Sequence, residues 1–353
     1  MSKIAVNEIT NEAGTGAPSF NEGINATSLN GGQFGGRRNL IINGAMQVAQ
    51  RGTSFTGISG AGAYGADRWS FYNSDSTGAL TISNSSNAPS NFSNSTRVEV
   101  TTANASIGSS SYGHFYYAHE GQDLQQLGFG TSGAKQFTVS FWCRTNVPAT
   151  YQWNIFNTDS GVLEGHTFTV DSSDTWEYKT LTFSADTTNG VNNDTGDAFR
   201  HLVLLYAGSN FSSGSTPTTW ASHAIADRGA GLSDKTAFIG TVGNYFEITG
   251  VQLEVGDTAT EFEHRSYGEE LALCQRYYNH HPPGAMNIHA FRYVSTISIA
   301  EVNFPTTMRA APTVLVEGPG NETNTTASIM GFTTSYDDID GNFINSYTAD
   351  AEL

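Results

Sequence analysis

The chain has 353 residues, 38% of them hydrophobic, which is enough to bury a core and by length fills about two domains. Asp and Glu number 33 against 16 Lys and Arg, and the resulting net charge of -17 argues against binding to a nucleic-acid backbone or an anionic membrane. Two cysteines, Cys143 and Cys274, are too few for a disulfide scaffold, and the longest apolar run, Leu202 to Ala207, falls far short of the roughly 20 residues that cross a bilayer.

The opening, Met1 to Thr10, lacks the unbroken apolar segment of a secretory signal, so a soluble protein made in the cytoplasm is expected. Residues 1–36 hold one short strand pattern, Ile4 to Thr10, followed by a Gly, Asn and Ser-rich stretch that cannot form a core by itself. Such a segment is either disordered or ordered by docking onto a neighbour.

From residue 37 to about 265 short runs alternate apolar and polar residues between turn-rich loops, the pattern of a sandwich or barrel. Lys135 to Arg144 shows it best. Phe137, Val139, Phe141 and Cys143 point one way and Thr138, Ser140, Trp142 and Arg144 the other. Further strands are expected at Leu40 to Ile42, Trp69 to Asn73, Arg97 to Thr101, His114 to His119, Tyr151 to Phe156, Tyr178 to Ser184, Phe199 to Tyr206 and Tyr245 to Val255. Phe199 to Tyr206 is apolar on both faces and should be central. With no internal repeat, the set predicts an all-β jelly-roll sandwich.

At residue 266 the period changes. Ser266-Tyr-Gly-Glu269 is a capping box, and Pro282 with Pro283 should stop the helix, giving a short element over 266–283. Tyr267, Leu271, Cys274 and Tyr278 recur at spacings of four, three and four, an apolar seam that packs either on the chain's own sandwich or around a symmetry axis. Residues 284–353 return to strands at Phe291 to Phe304, Thr313 to Glu317, Ser328 to Phe332 and Phe343 to Tyr347, with a hairpin turn at Asp340-Gly341, and form a small C-terminal β domain.

No catalytic signature stands out: the nine histidines lack zinc-hydrolase spacing, and there is no Gly-x-Ser-x-Gly elbow. No cofactor or metal is expected. Tyr336 to Asn342 reads as a turn, lacking the glutamate of a calcium loop, and Asn192 to Asp197 reads either as an ordinary loop or as a calcium site of side-chain and backbone oxygens. Aromatics in polar surroundings suit sugars, whose apolar faces stack on rings while neighbouring polar groups take the hydroxyls. Trp142, Trp176 and Trp220 are the candidate glycan-binding residues, whereas Trp69 and Trp153 read as core.

Asn39-Leu-Ile-Ile-Asn-Gly-Ala-Met-Gln-Val-Ala-Gln-Arg-Gly52 with Ala66-Asp-Arg-Trp69 resembles bacteriophage tail-fibre proteins that carry a carbohydrate-binding-module-like sandwich. Gly250-Val-Gln-Leu-Glu-Val-Gly256 and Glu261 to Tyr278 look like the last strand and exit helix of those domains. The stretch Ile4 to Ala26 is similar to fibre-protein openings, and Phe304 to Thr313 to a segment that follows the exit helix. The resemblance implies a homotrimeric virion appendage, attached to tail or adaptor proteins through Ile4, Val6 and Ile9, with the seam on the trimer axis. It further implies a host polysaccharide or lipopolysaccharide receptor, recognised without cleavage and without membrane insertion. A purely structural appendage or adaptor and a polysaccharide depolymerase are the alternatives.

Overall fold

The structure is a computed structural model that describes residues 28–29, 32–33, 37–283, 288–289, 291–294, 297–317, 322–336 and 343–353. Ile4, Val6 and Ile9 and the Asp340-Gly341 turn lie outside the described residues. Two-residue strands β1 (Ser28–Leu29) and β2 (Gly32–Gln33) pair with each other.

Two antiparallel sheets follow. One runs β14 (Ala221–Ser222), β11 (Val162–Val170), β10 (Ala149–Asn157), β13 (Asp197–Ala207), β8 (Tyr112–Glu120), β5 (Trp69–Asn73), β4 (Ala61–Ala66). The other runs β12 (Glu177–Phe183), β9 (Phe137–Thr145), β15 (Tyr245–Val255), β7 (Ser95–Thr102), β6 (Ala79–Ser85), β3 (Ser54–Ile58). Each sheet turns its apolar positions inward, so the expected sandwich is present, and β13 sits in the middle of its sheet, as its largely apolar sequence on both faces predicts. Phe141 meets Trp153 across the core at 4.6 Å between ring centroids, and Phe115 meets Phe246 at 6.0 Å. Leu40 to Ile42, expected as a strand, is instead irregular: Asn39 Oδ1 accepts from the Ile41 and Leu253 amides and holds the segment bent against β15.

Helix α1 (Ser209–Ser212) is a single turn, and α2 (Tyr267–Gln275) starts at the expected capping box. Pro282 does not end α2. Arg276 is its C-cap, and the chain enters β16 (Tyr278–His281), which pairs with β24 (Ser346–Asp350); β24 pairs in turn with β20 (Thr313–Glu317). A four-stranded sheet, β18 (Phe291–Val294), β19 (Ile297–Asn303), β22 (Gly331–Tyr336), β21 (Glu322–Ser328), and the pair β17 (Ile288–His289) and β23 (Phe343–Ile344) complete the C-terminal unit. Three expectations there change: Phe343 to Tyr347 breaks at Asn345 into β23 and β24, which lie in different sheets. Phe291 to Phe304 is a hairpin rather than one strand, and Ser328 to Phe332 spans the turn between β21 and β22.

The unit is fastened to the sandwich by buried charge. Arg68, 2% exposed, donates to the Ala118 carbonyl, pairs with Glu352 and lies 3.5 Å from the Tyr277 ring centroid. Arg51 pairs with Glu352 at 3.0 Å and stacks on Tyr64 and Tyr278, while Arg276 grips buried Glu120 with two bonds of 2.7 Å. Removing one partner of such a set leaves the other charge buried, so Arg68→Met should lower unfolding free energy by about 3 kcal/mol or more in urea titrations.

Histidines are buried in the same sheet. His119 and His201 face each other at 3.1 Å between Nε2 atoms, and the Trp153 indole donates to His201 Nδ1 at 3.1 Å. Burial pushes His201 and His114 down to about 3 and His119 well below its usual value. All three fold neutral but titrate near 6.5 when unfolded, so the unfolded chain binds more protons as pH falls through that value. Their contribution is complete above about pH 6.5 and lost below it, by roughly 1.4 kcal/mol per pH unit for each ring. Urea midpoints between about pH 7.5 and 5.5, above the carboxylate range, should fall accordingly; a flat profile would mean that the rings are charged in the fold.

Candidate functional site

Trp142 faces outward from β9, as the alternation requires, and register places Tyr178 of β12 directly opposite it. Their ring centroids lie 5.3 Å apart, and Tyr178 is 43% exposed. Beside them, at Gly250, β15 carries a bulge that shifts the register between Thr249 and Gln252. Gly250 has φ 62, and a Cβ there would come within 2.7 Å of the Phe92 ring and 3.1 Å of the Trp142 indole. Glycine is required twice over, by backbone and by space.

Phe92, from the β6–β7 loop, forms an aromatic cluster with Phe262 at 5.0 Å and His264 at 5.3 Å. The loop 259–264 and this cluster wall a groove of about 860 Å³ across the outer face of the six-stranded sheet. Ser140, Asn91, Thr260 and Glu261 supply polar groups along it. Rings on the floor and walls with hydroxyl, amide and carboxylate groups between them form a surface that accepts the flat faces and hydroxyls of a sugar chain.

The other two candidate tryptophans lie elsewhere. Trp220 packs on Phe129 and Phe199 at 5.4 and 5.6 Å, and its indole donates to the Ser184 carbonyl at 2.7 Å, so it extends the core. Trp176 is half-buried in the connection before β12 and does not line the groove. Trp69 and Trp153 are fully buried, as expected. Phe92, Tyr178, Phe262 and His264 were not singled out from sequence; Tyr178 was legible in principle, because it is an outward position of a strand that pairs with β9.

The seam on α2 is corrected by packing. Cys274 is 0% exposed and joins Ile42, Val48 and Tyr277 in a small core within the chain, with Leu271 packed against it. Tyr278 is buried in β16, beyond the helix, under the Arg51 guanidinium. Only Tyr267, 57% exposed, stands outward, so these four residues do not form one face on an axis. Both cysteines are free and buried; burial pushes the Cys143 thiol up to about 12.

The segments that carry the family resemblance bind one another. Asn43 donates to the Val48 and Asp67 carbonyls and its amide to Glu270, while Gln50 contacts both oxygens of Asp67 and the Tyr278 carbonyl. Arg265 reaches the Asn39 and Ile41 carbonyls and pairs with Glu270 at 3.2 Å. A Cβ on Gly44 would meet the Val251 carbonyl at 2.1 Å, which explains that glycine. These residues build a clasp between the two segments, while Glu261, Phe262 and His264 of the second segment face the groove.

No cluster of three or more His, Cys, Asp or Glu suited to a metal occurs among the described residues. Asn192 to Asp197 is a turn whose Asn192 binds the Asp159 carboxylate, and residues 337–342 lie outside the described set.

No family model matches the sequence, and no curated protein matches it. Among solved structures, the enzymatically active domain of tailspike protein 4 of bacteriophage CBA120 aligns at 12% identity and TM-score 0.32, covering 62% of this chain and 21% of that one. The aligned part thus spans about a fifth of the length of that tailspike domain. TmCBM61 in complex with β-1,4-galactotriose aligns at 9% identity and TM-score 0.30, covering 62% and 99%. A family 11 carbohydrate-binding module of a Clostridium thermocellum cellulosomal cellulase aligns at 12% identity and TM-score 0.29, covering 55% and 91%.

Proposed function

We propose that the chain is a glycan-recognising protein of a phage virion appendage, a tail fibre, that binds a host surface polysaccharide or lipopolysaccharide without cleaving it. The observation that carries the glycan reading is the Trp142–Tyr178 pair on the floor of an open groove with polar groups between aromatic walls. Support for binding without cleavage is that Glu261 is the single carboxylate among the described residues of that lining, whereas glycoside hydrolysis uses two. The appendage part rests on the resemblance of the two clasp segments, with Ile4, Val6 and Ile9 docking to tail or adaptor proteins and three chains assembling on the virion. Several weak sites on one fibre would then act together through avidity.

Binding of the full chain to extracted host lipopolysaccharide or capsule tests the reading. Trp142→Ala and Tyr178→Ala should each weaken binding by about tenfold or more, with no release of reducing ends. Trp220→Ala should lower the melting temperature and leave affinity intact. Retained affinity in both groove variants would overturn the groove assignment, and the absence of any glycan bound would favour the structural-spacer alternative. Light scattering should give three times the chain mass; a monomer would remove the trimer.

A further inference from the structure

The outer face of the seven-stranded sheet carries a second groove, of about 410 Å³, on the opposite side of the sandwich from Trp142. Its floor comes from outward positions of β5 and β8, where register pairs Tyr72 with His114 and Ser70 with Tyr116. Four rings run together there. Tyr72 and Tyr112 lie 5.7 Å apart, Tyr112 and His114 stack at 5.3 Å and 6°, and His114 and Tyr116 lie 6.3 Å apart. Tyr72, 37% exposed, keeps its ring open to solvent.

Two guanidiniums border these rings, and they differ. Arg200 is neutralised by an ion pair with Asp197. Arg228 donates its Nε to His223 Nε2 at 2.9 Å, and no carboxylate of the described residues lies within 4.0 Å of it. A half-buried cation without a counter-ion is unusual in a chain of net charge -17, because desolvated charge is normally paired. His114 adds a second unsatisfied group: it is 7% exposed, and its Nδ1 has no hydrogen-bond partner among the described residues. Burial holds His114 neutral, and burial keeps the Tyr112 and Tyr116 phenols protonated, the Tyr116 hydroxyl donating to Asp197 at 3.4 Å.

We propose that this groove is a second saccharide site, selective for an acidic sugar whose carboxylate pairs with Arg228 while its ring rests on Tyr72 and Tyr112. The hydroxyls fall beside His114 and the phenols. A neutral sugar would leave Arg228 unpaired, so discrimination comes from the charge-assisted bond. The inference rests on the reading of the chain as a glycan binder, yet it uses residues on the other sheet, so the two sites fail separately.

Calorimetric titration of the full chain with trigalacturonic acid, with neutral galactotriose and with inorganic phosphate tests it. Trigalacturonate should bind wild type and Trp142→Ala alike, more weakly as salt rises, and galactotriose should not compete. Arg228→Gln should weaken binding by about tenfold or more, Arg228→Lys should recover part of the loss, and Tyr72→Ala, at an open position, should weaken it several-fold. Equal affinity in Arg228→Gln and wild type, no binding at millimolar ligand, or equal binding of the neutral trisaccharide at this groove would overturn the proposal. Phosphate binding as tightly as the triuronate would overturn the saccharide part, and a loss in Trp142→Ala with none in Arg228→Gln would return all recognition to the first groove.

Discussion

Arg68 is the buried charge around which the rest of the chain is arranged. It sits in the turn between β4 and β5, with φ 72, and its side chain is surrounded by a backbone carbonyl of β8, a carboxylate near residue 352 and two tyrosine rings. A guanidinium cannot shed its proton, so every neighbour must be placed to compensate it. That requirement ties a hairpin turn, a central strand, the segment after α2 and the C-terminal unit into one set of distances. Arg51 and Arg276 repeat the arrangement nearby, each with an acid from a different part of the chain. The acidic excess of the composition is thus partly consumed inside the protein, where Glu120, Glu164 and Glu247 are fully buried and hydrogen-bonded.

The division of labour between faces follows from strand pleating. Inward positions of both sheets supply one continuous apolar core, which leaves the outward positions free to differ. On the six-stranded sheet the outer face combines the Trp142 groove with a charged patch in which Glu247 lies between Arg97 and Arg144. Loops on the other sheet fold back over its outer face, since Gln152 and Asn154 are bonded to the Asp227 and Arg228 carbonyls. Those bonds hold the Arg228 backbone where its side chain lines the groove beside the tyrosine rings. One bulge, at Gly250, keeps Phe92 and Trp142 close without collision.

Strands with clean alternation, such as Phe137–Thr145 and Glu177–Phe183, could be read from sequence because burial on one face imposes a period of two. Among those that were missed, Ser54–Ile58 and Ala61–Ala66 are edge strands broken by glycine, and Val162–Val170 is interrupted by buried Glu164, whereas Ala79–Ser85 does alternate, with Leu80 and Ile82 inward, and was overlooked because its pattern is only two apolar residues long. The seam from Tyr267 to Tyr278 shows a different limit. Spacings of four and three describe any helix with one covered side, and nothing in them tells whether the cover is the same chain or a copy. Trp142 and Trp220 were equally good candidates, because whether a ring lies in the core or outside it is decided by strand pairing and loop path. Arg228 carried no sequence signal at all, since its character comes from the lack of a counter-ion nearby.

The buried histidines have a consequence of their own. An indole can only donate, so Trp153 obliges His201 Nδ1 to accept, and His201 must then carry its hydrogen on Nε2 and pass it to His119. His201 thus accepts once and donates once while His119 accepts at Nε2, so the tautomers of both are set by a single tryptophan and the chain of bonds runs in one direction only. The centre of the sheet therefore has a polarity, fixed by covalent structure rather than by charge. Any residue that replaces His201 must accept from one side and donate to the other, which excludes every purely apolar side chain and every side chain with donors alone.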